Sequence, residues 1–381
     1  MSTADSLPLP PHDGGLAAAG VLLDAAAMAP HLSERFGRTV DRVRVRYLDY
    51  VPGRSIVVQY DARTSDDRGG DGGADQVLEA SATADGSGGG DFRLYVAPDD
   101  AALPLLGADA ATLVDELGLP RLADDTAVRR LAWVPARRAV LRCGPYVVKL
   151  YADPTELAQS ERALALVDGV LPTARLVRSR PERGIVAQEA LAGDPVARGD
   201  AIAGAGAAAA ILHVLHGARI DGLDDGGPAQ LLAAIARPAA LVSFAVPELA
   251  DRVAALVERL RETQPHLDRV VPVHGDFNVG QLLADGDRTF VVDVDTLAAG
   301  SPAADLAAYV ANLHNGRSGD AVTVTETLDA LVHAYGHRPD HLDWHLAATM
   351  LRRVDRPFRR LKKRWPERTA AIVGAIEELV R

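Results

Sequence analysis

A strand–loop–strand block set among helical segments constrains this chain most. His274-Gly275-Asp276-Phe277-Asn278-Val279-Gly280-Gln281 puts an aspartate and, five positions on, a carboxamide into one short polar loop. Val291-Val292-Asp293-Val294-Asp295 then ends an apolar β-branched run in a pair of acids, followed by Gly300-Ser301-Pro302-Ala303-Ala304-Asp305-Leu306. An Asp-capped turn would explain any one of these stretches. It does not explain an aspartate loop, a spaced carboxamide and a strand-end acid in that order. Acids presented from strand ends beside helices point to a mixed α/β (α+β) fold.

The residue types suit phosphoryl transfer from a nucleotide, which asks mainly for positioning and charge neutralisation. One Asp orients and deprotonates the attacking hydroxyl, while a carboxamide and a second Asp hold magnesium on the phosphates. A cation to grip those phosphates is also needed. The chain has only three lysines, Lys149, Lys362 and Lys363, among 41 basic residues. Where Arg is the habitual base, Lys149 stands out, because an ammonium is a compact point charge and a guanidinium a wide planar fork.

The chain also repeats itself. Val45 to Val58 aligns without gaps with Val128 to Leu141, and seven pairs are identical, including the Val-Pro of the turns Val51-Pro52-Gly53-Arg54 and Val134-Pro135-Ala136-Arg137. Both read as a duplicated strand–turn–strand unit. Only the second copy runs on through Gly144-Pro145 into Tyr146-Val147-Val148-Lys149-Leu150-Tyr151. The first copy has no lysine and is expected to serve as a cap that stiffens the small lobe or borders the acceptor cleft.

Elsewhere, a helix is expected near Leu16–Met28, short strands at Gln76–Thr83 and Phe92–Ala97, and a helix at Ala108–Leu117. Thr64–Gly73 and Ala84–Gly90 read as flexible loops. Asp153-Pro154 signs a helix entry. Ile185–Leu191 reads as a strand running into a reversal at Gly193-Asp194-Pro195, and Ala201–His216 as the clearest helix. The basic segment Arg352–Arg364 is counted among the C-terminal helices.

These motifs resemble the aminoglycoside phosphotransferase/choline kinase superfamily, small-molecule kinases with a bilobal protein-kinase-like fold. Its loop reads H-G-D-x-x-x-x-N, its metal loop I-D-x-x, and a later D-L-A follows. The resemblance covers roughly Leu131 to Leu313. It implies ATP and Mg²⁺ as cofactors, Asp276 as catalytic base, and Gln281 and Asp293 as metal ligands. Asp295 is expected either to bind a second ion or to cap the turn. It makes Lys149 the phosphate-binding lysine, with Glu161 rather than Glu156 as its carboxylate partner. Gln188-Glu189-Ala190-Leu191 matches the adenine-binding hinge, with Glu189 and Leu191 as contacts. The turn over the phosphates has no glycine, so Arg137 or Arg138 either supplies charge there or faces solvent. Asp305 and His216 are read as structural partners of the catalytic loop.

Gln281 stands where most members have Asn, which resembles the maltokinase-like and glucosamine-kinase-like branch. Asn278 stands where that branch has His. The acceptor is therefore expected to be a sugar or amino sugar, with an aminoglycoside-type antibiotic as the alternative and a degenerate, ligand-sensing kinase scaffold as a reading of another class. Three parts are expected: a cap over residues 1–122, an ATP lobe over 123–195, and a helical lobe over 196–381.

Composition excludes other classes. A net charge of −11 argues against nucleic-acid binding. No run of about 18 apolar residues suggests a membrane span, and the first residues lack a signal-peptide pattern. The single cysteine, Cys143, fits a reducing cytoplasm and reads as a small apolar strand residue. His333 and His337 are separated by helix-breaking Gly336, so no zinc site is expected. A monomer or homodimer is expected, with a small hydroxyl-bearing molecule as its partner.

Overall fold

The computed structural model describes residues 8–64, 78–86 and 90–381. Of the two expected loops, Thr64–Gly73 lies almost wholly outside these residues and Ala84–Gly90 partly so.

The first sheet is antiparallel, in the order β1 (Val40–Val51), β2 (Ser55–Thr64), β3 (Leu78–Asp85) and β4 (Arg93–Val96). The helix expected near Leu16–Met28 is two helices, Ala18–Leu23 and Ala25–Phe36, because the Asp24 carboxylate accepts from the Ala26 and Ala27 N–H groups and starts the second. Their apolar faces cover the sheet: Leu22, Met28, Leu32, Leu48, Val58 and Tyr60 are fully buried.

The second sheet has the order β5-β6-β7-β9-β8, from β5 (Val128–Val134), β6 (Arg138–Cys143), β7 (Tyr146–Tyr151), β8 (Leu176–Arg180) and β9 (Ile185–Glu189). The helix Pro154–Val167, capped by Asp153, carries the chain from β7 to β8. A separate core of Leu141, Val148, Leu150 and Ile185 packs on the helix Ala110–Leu117.

The two hairpins of the repeat share a closing register, Val51 opposite Ser55 and Val134 opposite Arg138. Equivalent turn residues, Gly53 and Ala136, are both left-handed, with φ 71° and 54°. Gly adopts that conformation freely, whereas Ala does so at a cost of about 1–2 kcal/mol. The two turns thus share a similar backbone, a geometry also common among short hairpins generally.

The remainder is mainly helical, with two small strand pairings that hold the polar block. β11 (Val271–Val273) pairs with β14 (Ala298–Gly300), and β12 (Leu282–Asp285) with β13 (Arg288–Val291). β10 (Asp194–Pro195), where a simple reversal was expected, adds to β12. The basic segment after the helix Leu342–Leu351 is mostly turn, with one short helix at Arg356–Arg359. The helix Pro228–Ala245 is long and apolar enough to cross a membrane by length and composition. Its Arg237 pairs with Asp49 on β1, and Ile235, Leu241 and Val242 are buried, as in the core helix of a folded domain. The first sheet joins the helical core: Tyr50 meets Phe244 and Phe358 with ring centroids 5.8 and 6.4 Å apart.

Two buried titratable groups lie at the end of this core. Burial pushes His345 down to about 4, and neither of its ring nitrogens has a hydrogen-bond partner. Burial pushes Asp355 up to about 7. For His345 the unfolded chain binds a proton below about 6.5 while the native protein does not, so stability falls as pH drops from there towards 4. For Asp355 the native state keeps a proton that the unfolded chain releases above about 3.9, so stability falls as pH rises towards 7. The two slopes oppose each other. Asp355→Asn is expected to gain stability over the parent progressively between about pH 4 and 7. Unfolding midpoints of both proteins across that range test this, and a difference independent of pH would refute it.

Candidate active site

Asp305, fully buried on the helix Pro302–Ala311, organises the catalytic loop. Its oxygens accept from the His274 N–H at 2.8 Å, the Gly275 N–H at 3.0 Å and His216 Nε2 at 3.2 Å, and His216 Nδ1 lies 2.8 Å from the Tyr335 hydroxyl. Burial alone would raise the Asp305 carboxyl, but the bonds from His216 and His274 outweigh it and hold it below the usual range. Thr296 Oγ1 donates to the His274 carbonyl at 2.7 Å. Gly275 is obligatory here: its φ is 82°, and a Cβ would stand 2.4 Å from the Thr296 carbonyl oxygen.

The rest of the loop is tied by its own amides. Asn278 caps the turn Val279–Gln281, with its Oδ1 accepting from the Gly280 N–H at 3.1 Å. Gln281 Oε1 accepts from the Asn278 N–H at 3.1 Å, and Asn278 Nδ2 donates to the Asp276 carbonyl at 3.0 Å. The Val292 N–H donates to the Gln281 carbonyl at 2.9 Å, which brings Gln281 beside Asp293. Asp276 is 38% exposed and is met by two arginines that sequence reasoning did not find. Arg352 Nη2 lies 3.3 Å from Oδ1, and Arg353 donates to the same oxygen. Oδ2 has no partner among the described residues.

The partner of Lys149 corrects an expectation. Its ammonium donates to both oxygens of Asp295, at 3.0 and 2.8 Å, and lies 3.7 Å from Asp293. No contact with Glu161 occurs among the described residues. The helix Pro154–Val167 buries Leu157, Ser160, Ala163, Leu164 and Val167, so Ser160 and not its neighbour faces the strand. Ser160 Oγ donates to Asp295 Oδ1 at 2.9 Å and the Tyr151 hydroxyl to Oδ2 at 3.3 Å. Asp295 therefore has both oxygens committed. In this structure it is the counter-ion of Lys149. Burial opposes charge on both groups, yet their mutual attraction raises Lys149 and lowers Asp295.

A cleft of about 500 Å³ opens between the second sheet and β12. Val140 and Leu283 line it, and so do Glu189 and Leu191 as expected for the hinge, with Lys149 and Asp293 at one end. Arg137 is not among its walls. It pairs instead with Glu156 at 2.7 Å, and the next residue, Arg138, reaches the cleft because it begins strand β6 opposite Val134.

Asp293 is left-handed, with φ 64°, makes no cap bond, and is 47% exposed. Among the described residues no group of three His, Cys, Asp or Glu forms a metal cage. Asp293 has Lys149 3.7 Å away and is otherwise open to solvent, and Gln281 Oε1, which accepts from the Asn278 N–H, keeps one lone pair. A carboxylate and a carboxamide oxygen are donors that suit magnesium when phosphates supply the rest.

Residues 124–350 match the family described as phosphotransferase enzymes. No curated protein matches the sequence. Among solved structures, a choline/ethanolamine kinase family protein from Mesorhizobium loti is similar at 18% identity and a TM-score of 0.51, over 71% of this chain and 97% of that one. A macrolide 2'-phosphotransferase from Brachybacterium faecium is similar at 20% identity and 0.45, over 69% and 96%. An aminoglycoside phosphotransferase from Streptomyces rimosus gives 17% and 0.46, over 60% and 94%. The first of these likenesses shows the protein-kinase-like fold. The chain belongs to the phosphotransferase enzyme family.

Proposed function

We propose that this protein transfers the γ-phosphoryl group of ATP to a hydroxyl of a small sugar-like acceptor, using Asp276 as base. The observation that carries the assignment is the Asp276 carboxylate: one oxygen is held by two arginines and the other is left for a hydroxyl. In the step, the acceptor oxygen bonds to the γ-phosphorus as the bond to the β,γ-bridging oxygen breaks. ADP leaves with that electron pair, and the hydroxyl proton passes to Asp276 Oδ2. Lys149, held by Asp295, grips the phosphates, and Arg138 adds charge above them. Magnesium, when bound at Asp293 and Gln281, neutralises phosphate charge. The hinge at Glu189 and Leu191 receives adenine, with the Ala190 N–H already taken by the Pro145 carbonyl at 2.8 Å.

In this reading residues 1–122 form a cap, 123–195 the nucleotide lobe and 196–381 the catalytic lobe, and the protein works in the cytoplasm. The Gln281 pattern supports a sugar or amino sugar. An aminoglycoside is less well supported, because a polycation would meet Arg352 and Arg353 beside the base. A ligand-sensing scaffold without turnover is the competing class, and the intact set of Lys149, Asp276 and Asp293 speaks against it.

Release of ADP from Mg·ATP should rise on adding an acceptor from a panel of neutral sugars, amino sugars, sugar acids, sugar phosphates, aminoglycosides and choline. Thermal stabilisation by one of these without ADP release would favour the sensor instead.

A further inference from the structure

The chain carries a net charge of −11, yet the surface leading away from Asp276 is crowded with cations. A cavity of about 740 Å³ lies between the first sheet, the Pro135 turn and the C-terminal segment, and Arg46, Arg137, Arg138, Arg360 and Lys362 line it against one acid, Asp49. Asp49 is already paired with Arg237, Arg46 with Glu79, and Arg137 with Glu156. Arg138, Arg360 and Lys362 have no ion pair among the described residues.

The crowding continues inward to the base. Burial and then Arg360 hold the Arg198 guanidinium down. Burial, Arg360 and Arg198 push Arg356 down to about 10 against the opposing pull of Asp276. Burial and then Arg360 lower Lys362. Arg352 and Arg353 pair with Asp276, the helix Arg356–Arg359 follows them, and Arg360 at its end lines the cavity, so one basic segment runs from the base to the cavity. Arg138 lines this cavity and the nucleotide cleft alike, so the two spaces adjoin at the phosphate end.

Asp320 acts on Arg198 and Asp355 on Arg356, but Arg138, Arg360 and Lys362 share the cavity wall without an ion pair among the described residues, and like charges so placed repel and cost stability. A guanidinium fork is also the group best shaped for carboxylate and phosphate oxygens. We propose that the acceptor is an anion: a polyol bearing a carboxylate or phosphate group, whose charged end sits in this cavity while its hydroxyl reaches Asp276. The proposal rests on the phosphotransferase reading above and narrows its substrate class. It also gives the cap a task, since β1 and the hairpin turn that line the cavity come from the two copies of the repeat.

Gluconate, glucose 6-phosphate, glucose, glucosamine and kanamycin separate the charge classes, and the first two separate carboxylate from phosphate. The expected result is an anionic acceptor favoured over glucose by about tenfold or more in kcat/KM. Arg360→Gln combined with Lys362→Gln changes two exposed side chains. It should raise KM for that anion by about tenfold while KM for ATP and kcat stay within about twofold. Preference for glucose, glucosamine or kanamycin overturns the proposal and leaves the phosphotransferase reading standing. An unchanged anion KM in the double variant overturns it likewise. If no acceptor of any charge releases ADP, the phosphotransferase reading itself fails. Binding of gluconate and glucose 6-phosphate to protein saturated with AMP-PNP then decides the anion site: binding lost in the double variant upholds it, and no binding overturns it.

Discussion

Asp276→Asn is expected to lower kcat by about 10³-fold while ATP affinity stays within about threefold. The amide keeps an oxygen for Arg352 and Arg353, so the loop retains its shape, but it cannot take the hydroxyl proton. A stability cost accompanies the lost activity. Burial pushes the Arg353 guanidinium down to about 9 with Asp276 opposing, so it is charged at neutral pH and would lose its anionic partner. Leaving such a buried charge uncompensated costs about 3 kcal/mol. Three readouts separate the roles: single-turnover ADP formation, displacement of a fluorescent nucleotide, and the unfolding midpoint. Parallel loss of nucleotide affinity would mean that Asp276 is structural. Turnover within about tenfold of the parent would remove it as the base.

Much of this site was legible because its parts are local. The aspartate, the carboxamide and the strand-end acid lie within one strand–loop–strand block, and their spacing survives folding unchanged. The two hairpins were legible from their alternation around Val-Pro turns, and both close in the same register. What failed to show were contacts across long separations. Arg352 and Arg353 reach Asp276 from the other end of the catalytic lobe, and a generally Arg-rich segment gives no local sign of it. Glu161 was preferred over Glu156 because its spacing from Lys149 and its Glu-Arg-Ala-Leu context match the family's pattern. Helix phase decided otherwise: Ser160 faces β7, and Asp295 comes from a loop whose sequence also suits metal binding. The choice between Arg137 and Arg138 turned on a single step of register where strand β6 begins, and periodicity alone does not resolve one residue at a turn.

Asp305→Ala should destabilise the protein by about 3–5 kcal/mol and abolish most activity even if it folds. The carboxylate is fully buried and satisfies the His274 and Gly275 N–H groups together with His216. Alanine leaves two buried donors and an imidazole facing an empty space, and the His274–Asp276 turn loses what fixes it to the helix Pro302–Ala311. Asp305→Asn tests the same point more gently, because a carboxamide has one accepting oxygen for two N–H groups. About 1–3 kcal/mol is then expected, with a fall in kcat at nearly constant KM for ATP. The pH dependence distinguishes a charged Asp305 from a merely space-filling one. Its carboxyl is held below the ordinary value, so its contribution is present above the unfolded pKa near 3.9 and is lost as pH falls through the folded one. The gap in unfolding midpoint between the parent and Asp305→Ala should therefore narrow as pH is lowered below about 4, and a gap that stays constant into acid would show that the charge contributes nothing.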